Sequence, residues 1–300
     1  MGVMRSLLIT SMALVLFCVP KHAASANLAI DHEVQFDLHR APLTPFQKKR
    51  LSADAKNLSP GTFSGRLRIP GAAAPVPAVV LFHTCHGEAH YAPWVQALNG
   101  WGIATLSVSR CQPPDNKPDD AAIASLDWKR GALVAFSALN YLRARPETKG
   151  QPVIVMGWSR LGAIPLSVLN YEGERQFFDA QFAAGIALYP FCSFARGPHA
   201  GPLLVISAGR DDYVDPAVCA RMVRETQNDR FPATFQLLPD AWHGFDLAHY
   251  GPAHMASREE INPHGFAASS GTVGYDARAH EAALGAVRDF LQLVLGRDLR

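Results

Sequence analysis

At 300 residues, 48% hydrophobic and 18% charged, the chain has globular composition and ample apolar material for a sizeable core. A formal net charge of +2 excludes recognition driven by a strongly basic or acidic surface, so neither nucleic acid nor a charged membrane is an expected partner. No internal repeat or linker divides the sequence, and residues 27–300 are expected to form a single domain.

Residues 1–26 stand apart from that domain. Arg5 supplies a short positive region, Ser6 to Val19 is apolar, and Ala24-Ser25-Ala26 has the small-x-small pattern of a cleavage site. The apolar run is too short for a membrane span, so the segment reads as a secretory signal and the mature protein as secreted or periplasmic. No membrane partner is expected once the signal is removed. Arg5 and Lys21 leave with it, so 26 of the 28 basic residues remain against 26 acidic ones. The cysteines left behind, Cys85, Cys111, Cys192 and Cys219, are an even set without a C-x-x-C pair, which suits disulfides in an oxidising compartment.

In chain order, residues 27–61 are charged and punctuated by proline, with a short helix expected near Phe46 to Lys56. Gly61 to Ile69 alternates as a strand. Pro77 to His83 reads as a buried strand running into Thr84-Cys85-His86-Gly87. A helix over Tyr91 to Gly100, a strand over Gly102 to Ser109 and helical periodicity over Asp119 to Arg145 follow. Val153 to Met156 is β-branched at three of four positions and leads through Gly157 and Trp158 to Ser159, with helical residues beyond. Strand, sharp turn with serine at the apex, then helix is the geometry of a nucleophile elbow. Later strands are expected at Phe182 to Tyr189, Pro202 to Ala208 and Ala233 to Leu238. Asp215 and Pro216 are suited to open a helix to about Gln227, and Ala277 to Leu295 closes the chain as another. Residues 247–274 are rich in Gly, His, Pro and Ser, a composition expected of a lid or a wall of the site. Alternating strands and helices imply a parallel sheet with crossover connections.

Ser159, Asp211 and His243 each follow the carboxyl end of an expected parallel strand. Those ends share one edge of an open α/β sheet, so residues distant in sequence converge there. In that arrangement His243 takes the Ser159 proton and later returns it, while Asp211 holds the imidazole and stabilises its cation. Asp212 and Asp215 are the alternative acids.

The chain resembles the dienelactone hydrolase family of α/β-hydrolases. The resemblance rests on P-A-V-V-L-F-H at 77–83, G-W-S at 157–159, the strand leading to G-R-D-D at 209–212, A-W-H-G-F-D at 241–246, and the closing Gly274-Tyr275-Asp276 with its helix. It implies an α/β-hydrolase fold, a mostly parallel eight-stranded sheet flanked by helices. It also implies Ser159 as nucleophile, His243 as base and Asp211 as acid, acting without a cofactor on a carboxylic ester or lactone. The oxyanion hole would use the N–H of Arg160 and one from Thr84 or Cys85. In this topology Cys85 and Cys111 follow neighbouring strands, which pairs them with each other and leaves Cys192 for Cys219.

Two positions depart from the family pattern: Leu161 stands where a glycine is usual, and so does Thr84. They carry the competing reading, a non-catalytic binding protein on a hydrolase scaffold. A third reading is a metal-binding protein using His83, His86 and His90, with Cys85 beside them. Trp94, Trp158, Trp242 and Phe245 are candidates for core packing or for an acyl pocket. Arg110, Arg160 and Arg210 follow strand ends, where an arginine either pairs at the surface or meets a substrate carboxylate.

Overall fold

A computed structural model describes residues 28–37, 62–83, 87–109, 128–171, 173–194, 197–261 and 269–299. The strands are β1 (Leu28–Asp37), β2 (Thr62–Pro70), β3 (Ala78–Phe82), β4 (Ala104–Ser109), β5 (Val153–Trp158), β6 (Ala184–Leu188), β7 (Leu203–Ala208) and β8 (Thr234–Leu238). They form one eight-stranded sheet in the order β1-β2-β4-β3-β5-β6-β7-β8. β4 through β8 run parallel, while β1 and β2 are antiparallel to their neighbours. The expected α/β-hydrolase architecture is the one observed.

The central strands are continuous apolar runs because both of their faces are covered. Successive side chains point to opposite faces, and the burial follows that period of two. Ala78, Val80 and Phe82 of β3 join Val153 and Val155 of β5 in one core. Val79, Leu81, Ile154, Met156 and Trp158 enter the other. The first core is covered by α2 (Trp128–Ala144), α3 (Ala163–Leu169) and α4 (Pro216–Glu225), the second by α1 (Ala92–Gly100) and α6 (Ala277–Leu295). Asp215 caps α4 by accepting from the Ala217 N–H at 2.9 Å, as its place before Pro216 predicts.

Four expectations are changed or left aside. β1 replaces the featureless charged segment expected after residue 27. Its charges face outward, Asp31 pairing with Arg66 (2.6 Å) and Arg68 (3.4 Å) of β2, while Val34 and Phe36 reach the core. Residues 247–274 are not one long loop. Among them, β9 (His254–Ala256) and β10 (Gly271–Val273) form a two-stranded sheet with the short helix α5 (Arg258–Ile261) beside it. The signal segment 1–26 and the helix expected near Phe46 to Lys56 lie outside the described residues.

The sheet order also locates the site. The chain runs from β3 outward to β4 and returns to β5 on the other side of β3, so the connections leaving β3 and β5 diverge. A crevice opens at the carboxyl ends of strands where the order reverses in this way. Ser159 follows β5 directly.

Candidate active site

Ser159 holds a left-handed backbone, φ 51°, an uncommon and strained conformation for a residue with a Cβ. The turn beyond it, Ser159–Gly162, is tight and leads straight into α3. Its close approach depends on two glycines. A Cβ on Gly157 would come within 2.4 Å of the Leu161 carbonyl oxygen, and one on Gly162 within 2.7 Å of the Pro190 ring. Leu161 itself points into the first core, so the small residue the turn requires stands one position later than in the family pattern.

The Ser159 Oγ lies 2.8 Å from His243 Nε2, and His243 Nδ1 lies 2.7 Å from Asp211 Oδ2. A carboxylate accepts and cannot donate, so Nδ1 carries the imidazole proton and Nε2 is left to accept from the serine. Asp211 is oriented in turn by the N–H groups of Tyr213 (3.0 Å) and Val214 (2.8 Å), which donate to its Oδ1. All three side chains are buried. The alternative acids are occupied elsewhere. Asp212 accepts from the N–H (2.6 Å) and the hydroxyl (2.8 Å) of Thr272, and Asp215 caps α4.

Aromatic rings frame the imidazole. The rings of Tyr189 and Tyr213 meet that of His243 edge-on, at 4.6 and 5.0 Å between centroids, and Phe191 stands at 90° to Tyr213. Tyr189 is the other non-glycine residue with a left-handed backbone among those described, φ 36°. Its phenol is fully enclosed, and burial first, then the neighbouring Asp246 carboxylate, pushes its pKa well up. Burial likewise raises the pKa of Tyr213, against a smaller opposing pull from the Arg160 cation. The sequence offered little warning of these tyrosines, since only the adjacency of Tyr213 to Asp211 marks it.

The remaining expectations divide. Trp94, Trp158 and Phe245 are fully buried and pack in the second core. Arg210 pairs with Asp240 at 2.8 Å and lies 6.0 Å from the Trp242 ring, a surface role. Cys192 and Cys219 form the expected disulfide, 2.04 Å between sulfurs. β3 and β4 are neighbours as the other pairing requires, but Cys85 and Cys111 lie outside the described residues, as do Thr84, His86 and Arg110. His83 stacks on Tyr91, and His90 meets the His249 ring at a tilt of 45°, so the two turn to different partners. Among the described residues no group of three or more His, Cys, Asp or Glu is placed to hold a metal ion.

A mostly parallel eight-stranded sheet with a strained serine turn at a strand end defines an α/β-hydrolase. Residues 63–295 match the sequence profile of the dienelactone hydrolase family. The chain belongs to that family and is a hydrolase of it. Among curated protein sequences none matches the chain. Among solved structures, a dienelactone hydrolase-like promiscuous phosphotriesterase from metagenomic libraries superposes with a TM-score of 0.58 at 18% identity, over 88% of this chain and 98% of that one. A dienelactone hydrolase from Anabaena variabilis gives 0.53 at 15% identity, over 90% and 99%. An esterase from Thermogutta terrifontis phosphorylated by paraoxon gives 0.51 at 13%, over 93% and 97%. At these identities the likeness is one of fold.

Proposed function

We propose that this hydrolase cleaves a carboxylic ester or lactone through an acyl-enzyme on Ser159. The observation that carries the reading is the continuous line from Ser159 Oγ through the His243 ring to Asp211 Oδ2, with contacts of 2.8 and 2.7 Å. As the serine oxygen attacks the ester carbonyl carbon, its proton passes to His243 Nε2 and the carbonyl oxygen becomes an oxyanion. The Arg160 N–H, in the first turn after the nucleophile, is one donor for that oxyanion. The second is assigned to Thr84 or Cys85. Collapse of the intermediate returns the proton from Nε2 to the leaving alkoxide. Water then attacks the acyl-enzyme by the same proton path and releases the carboxylic acid. A lactone reacts identically, its alkoxide remaining part of the product.

Labelling tests this directly. A fluorophosphonate or paraoxon, the latter chosen because it phosphorylates the T. terrifontis esterase, should add one phosphyl group on the peptide carrying Ser159. It should add none to Ser159→Ala. An unlabelled wild type would sink the serine mechanism. A panel of p-nitrophenyl esters of increasing chain length, alongside small lactones, would then separate ester from lactone preference. From the signal-like residues 1–26 we further propose that the mature protein lies outside the cytosol. N-terminal sequencing of the exported protein should start at Asn27, and an intact Met1 on exported material would refute the signal assignment.

A further inference from the structure

Beneath the triad lies a buried carboxylate that the proposed chemistry does not use. Asp246 is 1% exposed, set within the second apolar core. Its Oδ2 accepts from the indole N–H groups of Trp94 (2.7 Å) and Trp158 (2.8 Å), and its Oδ1 from the Tyr189 hydroxyl (2.7 Å). Burying a carboxylate in an apolar core is costly even when it is hydrogen-bonded, and an apolar residue of similar size would often stabilise a fold more. What the residue holds is therefore informative. Trp158 immediately precedes Ser159, the Tyr189 ring packs edge-on against His243, and Asp246 itself ends the H-G-F-D segment that begins at His243. Ser159 and Tyr189 are the non-glycine residues with left-handed backbones among those described. Such conformations persist where the surroundings over-determine them. The carboxylate reaches one of the two through a direct hydrogen bond and the other through the side chain of its neighbour.

We infer that Asp246 is a positioning residue that fixes Ser159 against His243 from below, through Trp158 and Tyr189. The inference rests on the serine-hydrolase reading. The carboxylate sets the distance and angle at which the serine meets the imidazole, and it touches neither substrate nor reacting atoms.

The test compares Asp246→Asn and Tyr189→Phe with Val287→Ala, a cavity variant in the same core that takes no part in the hydrogen bonds of Asp246 or of the triad. Each is assayed for kcat and KM on a p-nitrophenyl ester, for its rate of fluorophosphonate labelling, and for Tm. Asp246→Asn and Tyr189→Phe should each lower kcat and the labelling rate by about tenfold or more while KM stays within about twofold, because misplacement of reacting groups is felt in the chemical step. The double variant should be little worse than Asp246→Asn alone, since both remove the same linkage. Val287→Ala should lower Tm and leave kcat within about twofold. If Tyr189→Phe and Asp246→Asn behave like Val287→Ala, losing Tm but not kcat, Asp246 is a packing residue and the inference fails. Should Asp246→Asn not fold, Tyr189→Phe decides alone. A wild type that resists labelling indicts the serine mechanism, whereas labelled wild type with equally fast variants indicts only the positioning role.

Discussion

Asp211, Asp212 and Asp215 stand almost side by side in sequence, and each holds something different: an imidazole, a strand of the β9–β10 sheet, and a helix N-terminus. Sequence reading placed the acid among these three, and the hydrogen bonds separate them. Removing the nucleophile or the base should be nearly equivalent. Ser159→Ala and His243→Ala are each expected to lower kcat about 10⁴-fold or more, with the double variant little lower, because the two act as a unit. Asp211→Asn should cost on the order of 10²- to 10⁴-fold by presenting the wrong imidazole tautomer to the serine. A larger loss in Asp212→Asn than in Asp211→Asn would move the acid. Because the imidazole must be neutral to accept the serine proton, kcat/KM should fall once the medium is acid enough to protonate it. A flat profile, with chemistry shown to limit the rate, would argue against a histidine base. The serine and histidine were legible because each follows a strand at a turn of distinctive composition. Tyr189 and Asp246 were not, because their roles depend on a backbone angle and on contacts between residues far apart in the chain.

At the scale of elements, the parallel strands were readable as short apolar runs, and β1 was not. Its inward residues, Val34 and Phe36, sit among charges whose purpose is cross-strand pairing with Arg66 and Arg68, and that pairing is invisible until β2 lies alongside. The Cys192–Cys219 disulfide ties the turn after β6 to α4, across a sequence separation of 27. That turn includes Pro190, on which Gly162 of the serine turn closes, and Phe191, which meets Tyr213. Replacing both cysteines by alanine should lower unfolding stability by about 3–4 kcal/mol by the chain-entropy model. Urea titration of the variant against oxidised wild type measures this, and an unchanged midpoint would show the bridge to be energetically idle.

For the molecule as a whole, the order of strands and helices was enough to place the serine, base and acid at one edge, since a doubly covered parallel sheet leaves few other arrangements. Stability against pH follows from histidines inside it. His199 and His280 are both buried, and burial lowers the pKa of each below the ordinary histidine value. The unfolded chain therefore takes up protons first as pH falls, so their contribution is intact above about 6.5 and is lost progressively below it. His254 works in the opposite sense, its pKa raised by the Pro252 carbonyl and then by Glu260, but that pair is exposed and its effect is screened. Asp31, held below the usual carboxylate range chiefly by its hydrogen bond to Arg66, adds acid sensitivity only below about pH 4. Tm should hold steady from pH 8 to 7 and fall below about 6.5, and His199→Gln should flatten part of that fall. A Tm that rises on acidification through pH 6 would reverse the assignment.

The anchoring of the β9–β10 sheet has a consequence for the base and the acid. Ala256 pairs with Gly271 across the β9–β10 sheet, Thr272 is held by Asp212, the Gly274 N–H donates to the His243 carbonyl, and the Tyr275 N–H donates to that of Gly251. The backbone of His243 is thus tied to a strand well beyond it in the chain, and that strand is tied in turn to the residue beside the acid. A shift of that strand would therefore reach the base and the loop of the acid together.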